Sequence, residues 1–177
     1  MPVIVSEAAN VLIKDDSILK IGHNIKNAFI LLSEKNIKIN NVSDKISLIH
    51  GAITNKKGKM RIDENAVGPG NRTLSNKING TEIQTFSLKD IIPENEKDMI
   101  LKIDCEGCEY QIILETEDEI LLKFQTIMLE YHFGYQNLKL KLESIGFDVK
   151  ITGPEHVFRE KPYYGYLIAN KRQKLNL

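Results

Sequence analysis

A chain of 177 residues, 42% of them hydrophobic and 27% charged, has the size and composition of one soluble domain with a real core. Its 24 Lys and Arg balance 24 Asp and Glu, and a net charge of zero argues against a nucleic-acid binder, which carries a basic excess or stripe. No run of about 18 apolar residues is present to span a membrane, and the N-terminus lacks the pattern of a secretory signal, so the expected location is the cytoplasm.

Residues 1–16 are ambiguous: Val3-Ile4-Val5 fits a short strand, and Asp15-Asp16 a turn. Ser17 to Ile21 reads as a strand stopped by Gly22, and Ile25 to Asn36 as an amphipathic helix with Ile25, Phe29 and Leu32 on one side. Asn40-Asn41 closes that unit, and Ile46 to Ile49 reads as the next strand, followed by Gly51-Ala52. The basic run Asn55 to Lys59 reads as a solvated turn, and Met60 to Asp63 as the far arm of a hairpin. Gly68 to Asn71 is a loop. Thr81 to Phe86 alternates as a strand does, Ser87 is the N-cap expected for a short helix Leu88 to Ile92, and Pro93 ends it.

The second half is more regular. Met99 to Ile103 is an apolar strand that stops at Asp104-Cys105-Glu106-Gly107-Cys108-Glu109, and a helix follows over Tyr110 to Glu117. Leu121 to Phe124 leads into the buried strand Thr126 to Leu129, which ends in Glu130-Tyr131-His132-Phe133-Gly134. Asn137 to Ile145 reads as a helix with Leu138, Leu142 and Ile145 inward and Gly146 as its stop. Phe147 to Ile151 and Tyr163 to Ala169 are the last strands, antiparallel to each other because no helical pattern separates them, and 171–177 is a tail. Alternation of strand and helix gives an α/β class with a mainly parallel sheet. Small-molecule chemistry in such sheets sits beyond the carboxyl ends of the strands, which is where Asp104, Glu106 and Glu109 fall.

The stretch Lys102-Ile103-Asp104-Cys105-Glu106-Gly107-Cys108-Glu109 resembles the K-I-D-x-E-G-x-E signature of FkbM-like methyltransferases. Four further segments resemble that family in the right order: Asn36 to Asn41, Leu48 to Ile53, Thr85 to Ile92 and Leu129 to His132. The resemblance covers roughly residues 17 to 170 and implies a Rossmann-like class I methyltransferase fold, S-adenosylmethionine as cofactor, and a sugar or natural-product hydroxyl as methyl acceptor. It places His23, Asn24, Gly51, Ala52 and Asp104 at the cofactor. It also implies neighbouring strands that bring Asp104 and Glu106 together with Glu130 and His132, as reaction-centre carboxylates, a general base and its orienting partner. The family opens with a strand and a glycine-rich turn, whereas residues 1–21 here contain no glycine, and Gly22-His23-Asn24 stands where the family has a ribose-gripping acid. The expectation is therefore a member whose first strand and glycine-rich loop are missing or replaced, either active or a degenerate fragment without catalysis.

Other readings compete at the same residues. Glu106 or Glu109 can simply cap the following helix, where negative charge is favourable. Carboxylates with His132 can hold magnesium or calcium, but the spacing is not diagnostic and no metal is assigned. Cys105 and Cys108 make no disulfide framework; as a C-x-x-C pair they occupy the position of a redox dithiol, yet flanking acids disfavour the thiolate that redox chemistry needs. Tyr163-Tyr164-Gly165-Tyr166 reads as packing rather than a substrate surface, and His156 and Arg159 fall in an expected loop. The expected partner is a small-molecule acceptor, with no nucleic acid and no membrane; a homo-oligomer is left open.

Overall fold

A computed structural model of the chain describes residues 2–4, 17–22, 35, 37–41, 43–44, 47, 49, 51–62, 81–105, 107–158 and 161–173. The elements are β1 (Pro2–Ile4), β2 (Ser17–Gly22), β3 (Ala52–Ile53), β4 (Gly58–Ile62), β5 (Thr81–Phe86), α1 (Leu88–Ile91), β6 (Met99–Asp104), α2 (Glu109–Glu115), α3 (Asp118–Leu121), β7 (Phe124–Tyr131), α4 (Gln136–Ser144), β8 (Phe147–Phe158) and β9 (Lys161–Lys171). They form two sheets, one of six strands in the order β1-β2-β6-β7-β9-β8 and one of three in the order β3-β5-β4. In the larger sheet β1, β2, β6 and β7 run parallel, while β9 is antiparallel to both β7 and β8.

The alternation of β6 gives it one buried face and one half-buried face. Met99, Leu101 and Ile103 are buried, whereas Ile100, Lys102 and Asp104 are only partly so. Leu129 and Tyr131 of β7 and Leu167 and Ala169 of β9 continue the buried face. Ile112 and Ile113 of α2 and Leu138 and Leu142 of α4 cover it, each fully buried. Burial of each such aliphatic side chain contributes roughly 1.5–3 kcal/mol. Helix α4 ends at Gly146, whose φ of +106° is the left-handed turn that a residue with a side chain seldom adopts. No helix among the described residues is long and apolar enough to cross a membrane.

The structure meets most sequence expectations and corrects several. Ser87 caps α1 as expected: the Asp90 carboxylate accepts its backbone N–H (2.8 Å) and its hydroxyl (2.6 Å). Most of the helix expected over 25–36 lies outside the described residues; residues 35 and 37–39 are helical, and Asn41 (φ 54°) turns the chain after them. Of the strand expected over 46–49, Ser47 and Ile49 are described and are not strand. The strand is instead Ala52–Ile53, stabilised by pairing with Thr85 and Phe86 in the second sheet. The single sheet expected from the alternation is therefore two. Gly58 starts strand β4 rather than a turn, and the partner of that strand is β5, joined in antiparallel register. The loop expected to carry His156 is strand: β8 continues to Phe158, with its register broken around His156, past Pro154. Arg159 and the loop 68–71 lie outside the described residues, as does the segment between β1 and β2. The tail starts later than expected, because Lys171 belongs to β9 and donates to the Leu122 carbonyl at 2.6 Å.

Gly165 has a packing reason to be glycine. It pairs with Tyr131 across β7 and β9, and a Cβ there would press on the Tyr131 hydroxyl and lie 2.8 Å from its Cζ. Gly165→Ala is expected to lower the unfolding free energy by about 1–3 kcal/mol, the usual cost of overpacking. Urea denaturation monitored by circular dichroism measures this; a variant as stable as the parent contradicts the close packing of Tyr131 on β9.

Candidate active site

Strand register alone brings two carboxylates together. Ile103 pairs with Leu129 in the parallel β6–β7 ladder, both pointing into the core. The next residue of each strand, Asp104 and Glu130, therefore stands beside the other on the wetter face. The row continues sideways: Gly22 is registered with Asp104, and Tyr166 with Glu130. All of this lies at the carboxyl ends of the parallel strands. His132 follows directly after β7, and one ligand atom each of Asp104, Glu130 and His132 lies within 4.8 Å of the others.

A buried acid sets the position of His132. Glu109, at the start of α2, is 0% exposed. Its Oε1 accepts the His132 backbone N–H at 3.1 Å and lies 3.0 Å from the His132 ring Nδ1. Its Oε2 accepts the Gly107 backbone N–H at 2.8 Å, closing the turn in which Gly107 has φ +113°. One carboxylate thus ties the tip of β6 to the tip of β7. It also places negative charge at a helix N-terminus, where the peptide dipoles favour it.

The neighbouring residue repeats the clamp. The Tyr110 hydroxyl accepts the Phe133 backbone N–H at 2.7 Å and donates to the Gly134 carbonyl at 2.6 Å. Burial pushes the Tyr110 phenol above its ordinary pKa, opposed by the Phe133 hydrogen bond and reinforced by Glu109, so it stays protonated and able to donate. Tyr164 is held in a similar state: its hydrogen bonds to the Glu130 carboxylate and to Tyr166 raise its pKa. Its ring lies 5.8 Å from the His132 ring, and its hydroxyl 3.3 Å from that of Tyr166.

Cys105 and Cys108, from which no disulfide was expected, are joined in one across the same turn. The Cys105 sulfur lies 3.5 Å from Glu109 Oε2 and, as half of a disulfide, has no proton to donate.

Of the residues singled out from the sequence, Asp104, Glu130 and His132 come together. Glu106, His23 and Asn24 lie outside the described residues. Ala52 belongs to the second sheet, where it pairs with Thr85; Gly51 immediately precedes that strand, and a Cβ on it would meet the Phe86 ring at 2.6 Å and the Gln84 carbonyl at 2.8 Å. The partner of His132 Nδ1 is Glu109, whose sequence position, at the start of a helix, is explained equally well by capping. Tyr110 and Tyr164 carried no signal beyond their aromatic character. Glu109→Ala is expected to destabilise the fold by roughly 3 kcal/mol, because it strands the N–H groups of Gly107 and His132. Glu109→Gln, which keeps one acceptor oxygen, is expected to cost less. Chemical denaturation of both variants is the check, and an alanine variant within about 0.5 kcal/mol of the parent contradicts the clamp.

Comparison with protein families matches residues 15–161 to the methyltransferase FkbM domain. Comparisons with curated proteins and with solved structures return no match. The family match spans most of the chain, including every strand from β2 to β7 and the whole Asp104–Glu109 turn. The chain belongs to the FkbM-domain methyltransferase family.

Proposed function

We propose that this chain transfers a methyl group from S-adenosylmethionine to a hydroxyl of a sugar or comparable small molecule. The observation that carries this reading is the convergence of Asp104, Glu130 and His132 at the carboxyl ends of two adjacent parallel strands, in a member of a methyltransferase family. S-adenosylmethionine, when bound, supplies an electrophilic methyl group on a positively charged sulfur.

The residues at the sheet end suit such a group. Asp104 and Glu130 offer negative charge, at a partly buried position, to the cationic sulfonium and ammonium of the cofactor. Gly22, registered with Asp104, has no Cβ to hold a ligand off the backbone. His23, Asn24, Gly51 and Ala52 are carried over as cofactor contacts by resemblance alone, and Glu106 likewise as a reaction-centre carboxylate.

A hydroxyl acceptor needs alignment and a destination for its proton. With Nδ1 held by Glu109, His132 offers Nε2 for that proton, and the imidazole has the right intrinsic basicity. Tyr164, hydrogen-bonded to Glu130 and packed near His132, holds that carboxylate beside the acceptor position. Asp104 lines the point of transfer.

Two measurements test the proposal together. Calorimetric titration of the full chain with S-adenosylmethionine is expected to give saturable binding. Transfer of radiolabelled methyl to a panel of sugars is expected to fall about 10²–10⁴-fold in His132→Gln, with cofactor binding retained. A folded chain that binds no cofactor, or a variant with the parent's transfer rate, overturns the proposal.

A further inference from the structure

The Asp104–Glu130–His132 group has the features of a cation site as well as those of a proton-transfer site. Its ligand set is two carboxylates and one imidazole, and one atom of each lies within 4.8 Å of the others. Ligand atoms about 2.1–2.3 Å from a shared ion stand about 3 Å apart when adjacent and just over 4 Å when opposite. The separations in the set are of the size that one shared ion requires.

The outer groups point the same way. A histidine that binds a metal through one ring nitrogen almost always has the other held by a carboxylate or carbonyl, which sets its tautomer and orientation. Glu109, wholly buried and 3.0 Å from His132 Nδ1, is that partner, and it lies outside the ligand set. Glu130 is in turn hydrogen-bonded by Tyr164. Hard carboxylate oxygens with one imidazole, and no thiolate among the described residues, favour magnesium or manganese over a softer ion.

We propose that Asp104, Glu130 and His132 bind one divalent cation of the magnesium–manganese class, His132 through Nε2 and each acid through a carboxylate oxygen. Three protein ligands leave coordination positions for water or for an acceptor hydroxyl, whose pKa the ion lowers. With the ion in place His132 is a ligand and no longer the base: the ion lowers the pKa of the bound hydroxyl, whose proton passes to solvent water before the oxygen takes the methyl group. The purpose of the ion rests on the methyl-transfer reading; its binding does not.

The test is titration of the metal-stripped full chain with manganese(II) chloride, following the free ion by electron paramagnetic resonance. One ion per chain is expected, displaced by excess magnesium. Asp104→Asn and Glu130→Gln are each expected to weaken binding at least about tenfold, and Glu109→Gln about tenfold although it touches no ion. Circular dichroism reports whether each variant is folded, and the parent's stoichiometry stands whether or not a variant folds. No saturable binding by the folded parent at millimolar manganese, or binding unchanged in folded Asp104→Asn and Glu130→Gln, overturns the site. Calorimetry with S-adenosylmethionine on the same samples separates the two proposals. Cofactor binding without manganese binding removes only the ion site, and manganese binding without cofactor binding removes only methyl transfer.

Discussion

One buried carboxylate joins the two strand tips on which the site depends. Glu109 is sealed from solvent, and a carboxylate in that position is costly unless its oxygens are satisfied. They are satisfied by the Gly107 N–H on one side and by the His132 N–H and ring on the other. The turn after β6 and the loop after β7 therefore form as one unit. Tyr110, the next residue of α2, reinforces the unit through Phe133 and Gly134.

The polar cluster follows from the two-residue period of the sheet. The core takes every second residue of β6 and β7 and packs α2 and α4 over them. Parallel register then leaves Asp104 and Glu130 as neighbours on the other face. Two like charges side by side are unfavourable without a counter-charge or a hydrogen-bond donor. Tyr164 supplies a donor to Glu130, and a cation or a positively charged cofactor is a natural complement to such a pair. Positioning elements and reactive face thus come from one alternating pattern, with chemistry at the strand ends as in other open α/β sheets.

Much of this arrangement is legible in the sequence because its signals are local. The apolar run before Asp104, the glycine at 107 and the helical spacing after it define a strand, a turn and a helix with little ambiguity. The family resemblance, which implies that the two strands are neighbours, then brings Asp104, Glu130 and His132 together at the strand ends. The role of Glu109 is not legible, because an acid at a helix start has a sufficient local explanation and its bond to His132 spans 23 residues. The bounds of β3 are not legible for a related reason: Ile46 to Ile49 has the apolar character of a strand, but pairing with β5 selects Ala52 and Ile53. The length of β8 escapes a local reading because Gly153 and Pro154 signal a break, whereas the pairing with β9 resumes beyond them. The reason for a glycine at 165, inside the last strand, is not legible locally, because it lies in Tyr131 on the neighbouring strand.

The most direct test of the central claim is the tautomer of His132. Long-range proton–nitrogen correlation on the histidine-labelled, metal-free chain reads it for each ring. At neutral charge His132 is expected to carry its proton on Nδ1, donated to Glu109, with Nε2 unprotonated, and Glu109→Gln is expected to loosen that preference. A proton on Nε2, unchanged by Glu109→Gln, would show that the buried carboxylate does not orient the imidazole and would contradict the account at its base.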